Sequence, residues 1–384
     1  MMTRALYIHW PFCLKKCPYC DFNSHVRDGV DAAQWQAALL ADMRHEAEAA
    51  GGEALESVFF GGGTPSVMPP ALVETLLIEA ERLWGFAPGI EITLEANPSS
   101  VEAANFAALA VAGVNRVSLG LQALDDEALR FLGRLHNVQE GLEALQTAQE
   151  AFQRVSFDLI YALPGQTPEL WEQELSRALG FGTSHLSLYQ LTIEPNTRFA
   201  TDVRQGAFEP LPDDPAADLF ALTAERTAAV GLPAYEVSNH ARPGEESRHN
   251  LTYWRYQDYA GIGPGAHGRR GGMATRRHRK PENFLEAVVR NGHGLAEERQ
   301  LGVREQATEA LLMGLRLREG VDLDSLARRF ALPTEDLIEA ERLAFYDKLG
   351  FAWSDGSLVG VTPQGMPLLD ALLGELVPTA LAAA

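Results

Sequence analysis

The sequence predicts an α/β protein built on six consecutive β/α units, followed by a small helical domain that ends in a winged-helix-like hairpin. Three observations predict it. Short apolar, β-branched runs recur through the first half of the chain, and each is followed by a segment of helical periodicity. Glycines, prolines and polar residues collect where those runs end. After Pro195 the rhythm breaks, and helices dominate from about Gly302 onward. Six units of constant crossover hand curl a parallel sheet into a partial or complete barrel, although an open doubly wound sheet has the same pattern.

The strands are read in order as ALYIHW, LESVFF, EITLEA, RVSLGLQ, RVSFDLIYAL and HLSLYQL. Their continuous apolar character suits parallel strands buried on both faces. DAAQWQAALLADMRHEAEAA and PPALVETLLIEAERLWGF repeat apolar residues every three to four positions, as helices packed on one face of a sheet do. GAFEPLPDDPAAD reads as a proline-rich connection, LFALTAERTAAVG as a helix and AYEVSN as a strand. EQATEALLMGLRLREG, LDSLARRFA and PTEDLIEAERLAFYDKLG then read as helices, and FAWSDGSLVGVT as a hairpin turning at Asp355 and Gly356. The expected division is a barrel core over 1–205, a barrel extension over 206–300 and a terminal helical domain over 301–384. That last domain is a lid or packing module, or a reader of DNA.

Composition limits the function. The 384 residues, 46% of them hydrophobic, can bury a large core, and no apolar run is long enough to span a bilayer. Nothing resembles a signal peptide, so a cytoplasmic location is expected. A formal charge of −20 disfavours nucleic acid as a partner, because such binding rests on neutralising phosphates with Lys and Arg.

All three cysteines, Cys13, Cys17 and Cys20, fall within CLKKCPYC. An odd, clustered set in a reducing compartment describes ligands better than disulfides. A CxxxCxxC loop can aim three thiolates at one iron–sulfur cluster and leave the fourth iron open, as catalytic zinc sites leave a position open for chemistry. A zinc knot completed by His9 or His25, or simple structural thiols, are the other readings.

CxxxCxxC with Tyr19 before its last cysteine, together with FFGGGTP, resembles the radical S-adenosylmethionine superfamily. LYIHWPFC, FFGGGTPS, EANP, RVSLGLQ and DLIYALPGQT narrow the resemblance to the family of oxygen-independent coproporphyrinogen III dehydrogenase and the heme chaperone HemW, over nearly the whole chain. It implies a partial (β/α)6 barrel, a [4Fe-4S] cluster on the three cysteines, and S-adenosylmethionine surrounded by Tyr7, Tyr19, Gly62, Gly63, Thr64, Glu95, Gln122, Arg134 and Asp158. The chemistry suits such a ligand: carboxylates accept from amino and hydroxyl groups, Gln122 offers donor and acceptor, and Arg134 can clamp a carboxylate.

Between the two relatives, the dehydrogenase carries a further cysteine two positions after the third, where this chain has Phe22, and an N-terminal extension, whereas the first strand here starts almost at Met1. RHNLTYW matches the HNxxYW motif of the chaperone subfamily. It offers His249 as an axial heme ligand, with Asn250, Tyr253 and Trp254 beside it. The expected function is delivery of heme to an acceptor protein; oxidative decarboxylation of coproporphyrinogen is the alternative. The basic run Arg269, Arg270, Arg276, Arg277, His278, Arg279 and Lys280 reads as solvated surface, or as a site for heme propionates, an acidic partner or a peripheral membrane contact.

Overall fold

The computed structural model describes residues 3–382, apart from Asp28 and Gly52. Six parallel strands form its centre: β1 (Ala5–Trp10), β2 (Leu55–Gly62), β3 (Phe86–Ala96), β4 (Arg116–Gln122), β5 (Arg154–Tyr161) and β6 (His185–Gln190), each hydrogen-bonded to the next. The six runs read from sequence are these strands. Leu6, Ile8, Val58, Phe60, Leu94, Leu119 and Leu159 are almost fully buried, as strands covered on both faces require. Helices α1 (Ala32–Ala50), α2 (Pro70–Trp84), α3 (Val138–Ala151) and α4 (Pro168–Leu179) supply the outer cover. The Asp31 carboxylate caps α1 by accepting from the Ala33 and Gln34 N–H groups, and Asn137 with Glu140 forms a capping box on α3.

The sheet continues past both ends of this half-barrel. β7 (Asn239–Ala241) adds antiparallel to β6, while β8 (Tyr259–Ile262) adds parallel to β1. β8 is followed outward by the antiparallel strands β9 (His267–Arg270), β10 (Met273–Arg277) and β11 (Leu295–Gln300). The result is an open, mixed sheet of eleven strands among the described residues, ordered β11-β10-β9-β8-β1-β2-β3-β4-β5-β6-β7. Two segments differ from the sequence reading. DDPAAD opens the helix Asp213–Ala229, because Pro215 in its first turn needs no helical N–H and two aspartates favour a helix start. AYEVSN forms an isolated bridge, Ala234 to His240, and enters a strand only at Asn239, the first residue of β7. Glu236 there accepts from the Ser238 N–H and the Asn239 side chain, which bends the chain before it can pair as a strand.

The basic run is not a patch. It spans the β9–β10 hairpin and the three residues after it; Arg269, Arg270 and Arg277 turn into the protein, while Arg276, Arg279 and Lys280 stay exposed. Arg277 is fully buried between Asp42 at 3.2 Å and Glu46 at 2.5 Å, both on α1. Arg270 bridges Glu46 and Glu298, Arg276 pairs with Glu297, and the Arg269 guanidinium lies 3.5 Å from the centre of the Tyr256 ring. The hairpin's cations thus tie the sheet extension to the first barrel helix.

A second hydrophobic core gathers Leu311, Val321, Leu326, Phe330, Leu343, Val359 and Leu373. It joins α5 (Val303–Gly314), α6 (Leu323–Phe330) and α7 (Ala340–Lys348) to a three-stranded sheet whose hairpin, Ala352–Asp355 with Leu358–Val361, turns through Gly356 at φ 63°.

Candidate cluster and cofactor site

The carboxyl ends of β1 to β5 converge on one recess. Cys13, Cys17, Tyr19, Cys20, Gly62, Gly63, Thr64, Glu95, Gln122, Arg134 and Asp158 all line it, so eleven of the predicted site residues come together. The cysteine loop leaves β1 through Phe12 and Cys13, which pair with His25 and Val26 in a two-residue ladder. Each thiol is half-buried and has a polar neighbour. Thr64 Oγ1 donates to Cys13 Sγ at 3.4 Å, the Arg134 guanidinium reaches Cys17 Sγ at 3.4 Å, and Ser24 Oγ lies 4.0 Å from Cys20 Sγ. Burial pushes the Cys13 and Cys20 thiols up. Among the described residues, no three or more His, Cys, Asp and Glu side chains converge where a single metal ion could sit. His9 is no zinc ligand here, because its Nε2 bonds the Asn23 carbonyl at 2.9 Å and its Nδ1 the Tyr7 hydroxyl at 3.0 Å.

The glycine segment has two duties. The Gly62 N–H donates to Glu95 Oε2 at 3.2 Å, while the Gly63 and Thr64 N–H groups donate to the Trp10 and Phe12 carbonyls. Only carbonyl oxygens of this segment remain for an amino donor. A Cβ at Gly63 would stand 2.6 Å from the Phe12 carbonyl oxygen, and one at Gly62, whose φ is +113°, 2.5 Å from the His9 ring. The glycines therefore let the cysteine loop lie against β2, a packing role that their motif alone does not reveal.

Opposite the cysteines lies a half-buried acidic pair, Glu95 and Asp158. Glu95 is pushed up to about 8 by burial and by Asp158, with the Gly62 N–H opposing, and Asp158 is pushed up to about 6 by burial, with Ser187 and Ser118 opposing. Two desolvated carboxyls in one recess are suited to a ligand that brings positive charge and hydroxyl donors. Arg134 completes the frame: it donates to Asn97 Oδ1 at 2.6 Å and to the Gly120 carbonyl at 3.0 Å, while its buried Nε has no partner among the described residues. A cofactor with a sulfonium, an amino group, a carboxylate and a ribose fits this donor set. Asn97 was missed as a site residue. It links Thr64 to Arg134 and thereby the Cys13 and Cys17 neighbours, and its signal was the EANP stretch at the end of β3.

Two further recesses open beside this one. A cavity of about 710 Å³ lies between the β4–β6 ends and the segment from Met366 to Ala371, and it shares Tyr19, Phe22, Glu95, Gln122 and Asp158 with the cluster recess. On the β1 side, a recess of about 380 Å³ holds Tyr7, Tyr253, Tyr259 and His267, and shares Phe22, Gly62 and Glu95. Tyr7 thus lines the smaller recess beside Gly62 and Glu95 and not the cluster recess, with its hydroxyl turned to His9.

His249 does not occupy the position a heme ligand needs. It is 1% exposed, lies against Phe59 at 4.9 Å between ring centres, and engages both nitrogens: Nδ1 with Ser57 Oγ at 3.0 Å and Nε2 with the Tyr253 hydroxyl at 2.7 Å. A neutral imidazole so held donates at one nitrogen and accepts at the other, which leaves no lone pair for iron. Burial keeps it neutral, lowered to about 3. Its visible task is to fix Tyr253 at the wall of the smaller recess.

Comparisons with known proteins agree with this architecture. The radical SAM superfamily model matches residues 7–178, and the HemN C-terminal domain model matches 302–368. The fold resembles a solved structure of coproporphyrinogen III oxidase (HemN) from Escherichia coli, with a TM-score of 0.82 at 24% identity over 97% of this chain and 90% of that one. Mouse radical S-adenosyl methionine domain-containing protein 1, mitochondrial, is 42% identical over 83% of this chain and 74% of its own length. Heme chaperone HemW of Escherichia coli is 40% identical over 82% and 83%, and that of Bacillus subtilis 32% identical over 97% and 100%. The chain therefore belongs to the heme chaperone HemW family of the radical S-adenosylmethionine superfamily.

Proposed function

We propose that the protein binds heme and passes it to an acceptor protein, with a [4Fe-4S] cluster on Cys13, Cys17 and Cys20 and S-adenosylmethionine as resident cofactors. The observation that carries the reading is the match along the whole chain to proteins named heme chaperone HemW, 32% identical over 97% of this chain in one case. When bound, the cluster supplies one-electron chemistry. This chain's residues hold and shield the pair: Thr64 and Arg134 donate toward the sulfurs, Glu95 and Asp158 accept from the cofactor, and Tyr19 closes the side toward the larger cavity. The location follows the sequence reading, cytoplasmic, while animal relatives carry "mitochondrial" in their names. Among the described residues no helix is long and apolar enough to cross a membrane.

The 710 Å³ cavity beside the cofactor recess is what a substrate of radical chemistry would use, so the dehydrogenase reading keeps one observation in its favour. A single anaerobic experiment decides. Reconstituted protein is loaded with heme and mixed with a heme-requiring apoprotein, and coproporphyrinogen turnover is followed in parallel. Transfer faster than heme dissociates into solution, without decarboxylation, is the expected result. Decarboxylation at enzymatic rates would replace the chaperone by the dehydrogenase.

A further inference from the structure

With His249 sealed in the wall, the heme-binding reading needs another iron ligand, and the recess on the β1 side contains one. β9 pairs with β8 so that Arg269 stands opposite Tyr259. Alternation along the strand then puts His267 on the same face as Arg269 and Tyr259, toward the half-barrel interior. Opposite His267 in this register is Gly261, where any Cβ would meet the His267 carbonyl at 1.8 Å, so the two strands close tightly under the imidazole. The His267 side chain is exposed, and among the described residues its ring makes no hydrogen bond.

We propose that His267 is the imidazole that ligates heme iron, in the recess walled by Tyr7, Phe22, Tyr253 and Tyr259, with Arg279 receiving a propionate. The proposal rests on the heme-chaperone reading and names its binding site. Tyr253 and Tyr259 stand edge to face at 4.5 Å and form a rigid aromatic side, and Phe22, 60% exposed, forms the outer lip. Apolar faces of this kind suit a porphyrin plane. Arg279 is exposed and, unlike Arg276 and Arg277, forms no ion pair with Glu or Asp among the described residues. Partial burial, with Arg276 and Arg279 nearby, lowers the His267 pKa and so keeps a lone pair available. The larger cavity is less suited to heme. Asp21, Asp158, Glu194 and Asp370 line it against one cation, Arg316, and among the described residues no imidazole does. A dianionic ligand would be repelled there.

This placement also assigns the HNxxYW motif a different role. His249 becomes a positioning residue for Tyr253, and the residue that touches iron lies eighteen positions further along the chain, on the neighbouring strand.

The test uses full-length, anaerobically reconstituted protein with hemin as the probe. Wild type should show an imidazole-ligated Soret band. His267→Ala should lose that band and release hemin faster, keep wild-type iron and sulfide content, and recover the band when free imidazole is added. Arg279→Ala should keep the band but release hemin faster, and His249→Gln should also keep it while binding less hemin. An unchanged spectrum and release rate in His267→Ala overturns the proposal, as does loss of the imidazole-ligated band in His249→Gln alone. If wild type binds no hemin, the heme-chaperone reading itself falls, a result that no outcome among the variants can imitate.

Discussion

Replacing Glu95 by Gln isolates the charge that the cofactor recess prepares. In the free protein Glu95 is pushed up to about 8, first by burial and then by Asp158, so at neutral pH it carries its proton. A ligand bearing positive charge favours the carboxylate, and binding should therefore release that proton. By linkage, affinity for S-adenosylmethionine should rise with pH up to about tenfold per unit, or about 50-fold between pH 6 and pH 8. Glu95→Gln should flatten this rise. At pH 8 it also loses a hydrogen bond to a charged acceptor, worth about 1.5–3 kcal/mol, so affinity should fall about 10- to 150-fold below wild type. Near pH 6, where Glu95 is already protonated, the two proteins should bind alike. The stability sign is independent of the ligand. A carboxyl whose folded pKa is raised contributes stability at pH values below its unfolded pKa and loses it as pH rises through the folded value. The cofactor-free wild type should thus weaken between about pH 4.5 and 8, and Glu95→Gln should weaken less. Anaerobic equilibrium dialysis of the cluster-loaded protein measures the first effect, and thermal melts across pH the second. Parallel pH profiles for wild type and variant would refute the reasoning.

Replacing any one of Cys13, Cys17 or Cys20 by Ala should abolish or severely deplete the cluster, measured as iron and sulfide per chain after anaerobic reconstitution; tightly bound zinc without sulfide would contradict the cluster assignment. Gly63→Val should disturb the Phe12 backbone that leads into Cys13, costing about 1–3 kcal/mol in urea unfolding and lowering cluster occupancy along with cofactor affinity. Arg277→Met leaves Asp42 buried without its cation and Glu46 with Arg270 alone, and should cost about 3–5 kcal/mol. Adding Asp42→Asn and Glu46→Gln should restore part of that loss in the same unfolding assay.

The parallel strands were legible because burial on both faces leaves a continuous apolar run, and such a run survives in a single sequence. The sheet extension was less so. In β10 and β11, MATRR and LAEERQ carry at least as many charged as apolar residues. Arg277 reads as solvent-exposed until the chain brings Asp42 and Glu46 to it from more than two hundred residues away. Composition marks a charged run as surface because isolated charges are costly to bury, and it cannot show that the partners have been supplied from another element.

The same limit explains the cofactor recess and the histidine. Local spacing carries the cysteines, since a loop of eight residues sets their relation by itself. Glu95 and Asp158 are sixty-three positions apart, and their mutual repulsion exists only because β3, β4 and β5 lie side by side with Ser118 donating to Asp158 at 3.1 Å. His249 belongs to a motif rich in ligand-type residues, and its chemistry in isolation is that of a ligand. What cancels that chemistry is its place on the short helix Arg248–Trp254 under β2, where Ser57 takes one nitrogen and Tyr253, one helical turn on, takes the other. Among the described residues His267 has no such partners, and its sequence surroundings, GPGAHGRR, give no motif to notice. An imidazole is free to bind iron when its neighbours leave a nitrogen unclaimed, and that is a property of the folded sheet edge, so the residue with the stronger motif is the weaker candidate for the bond.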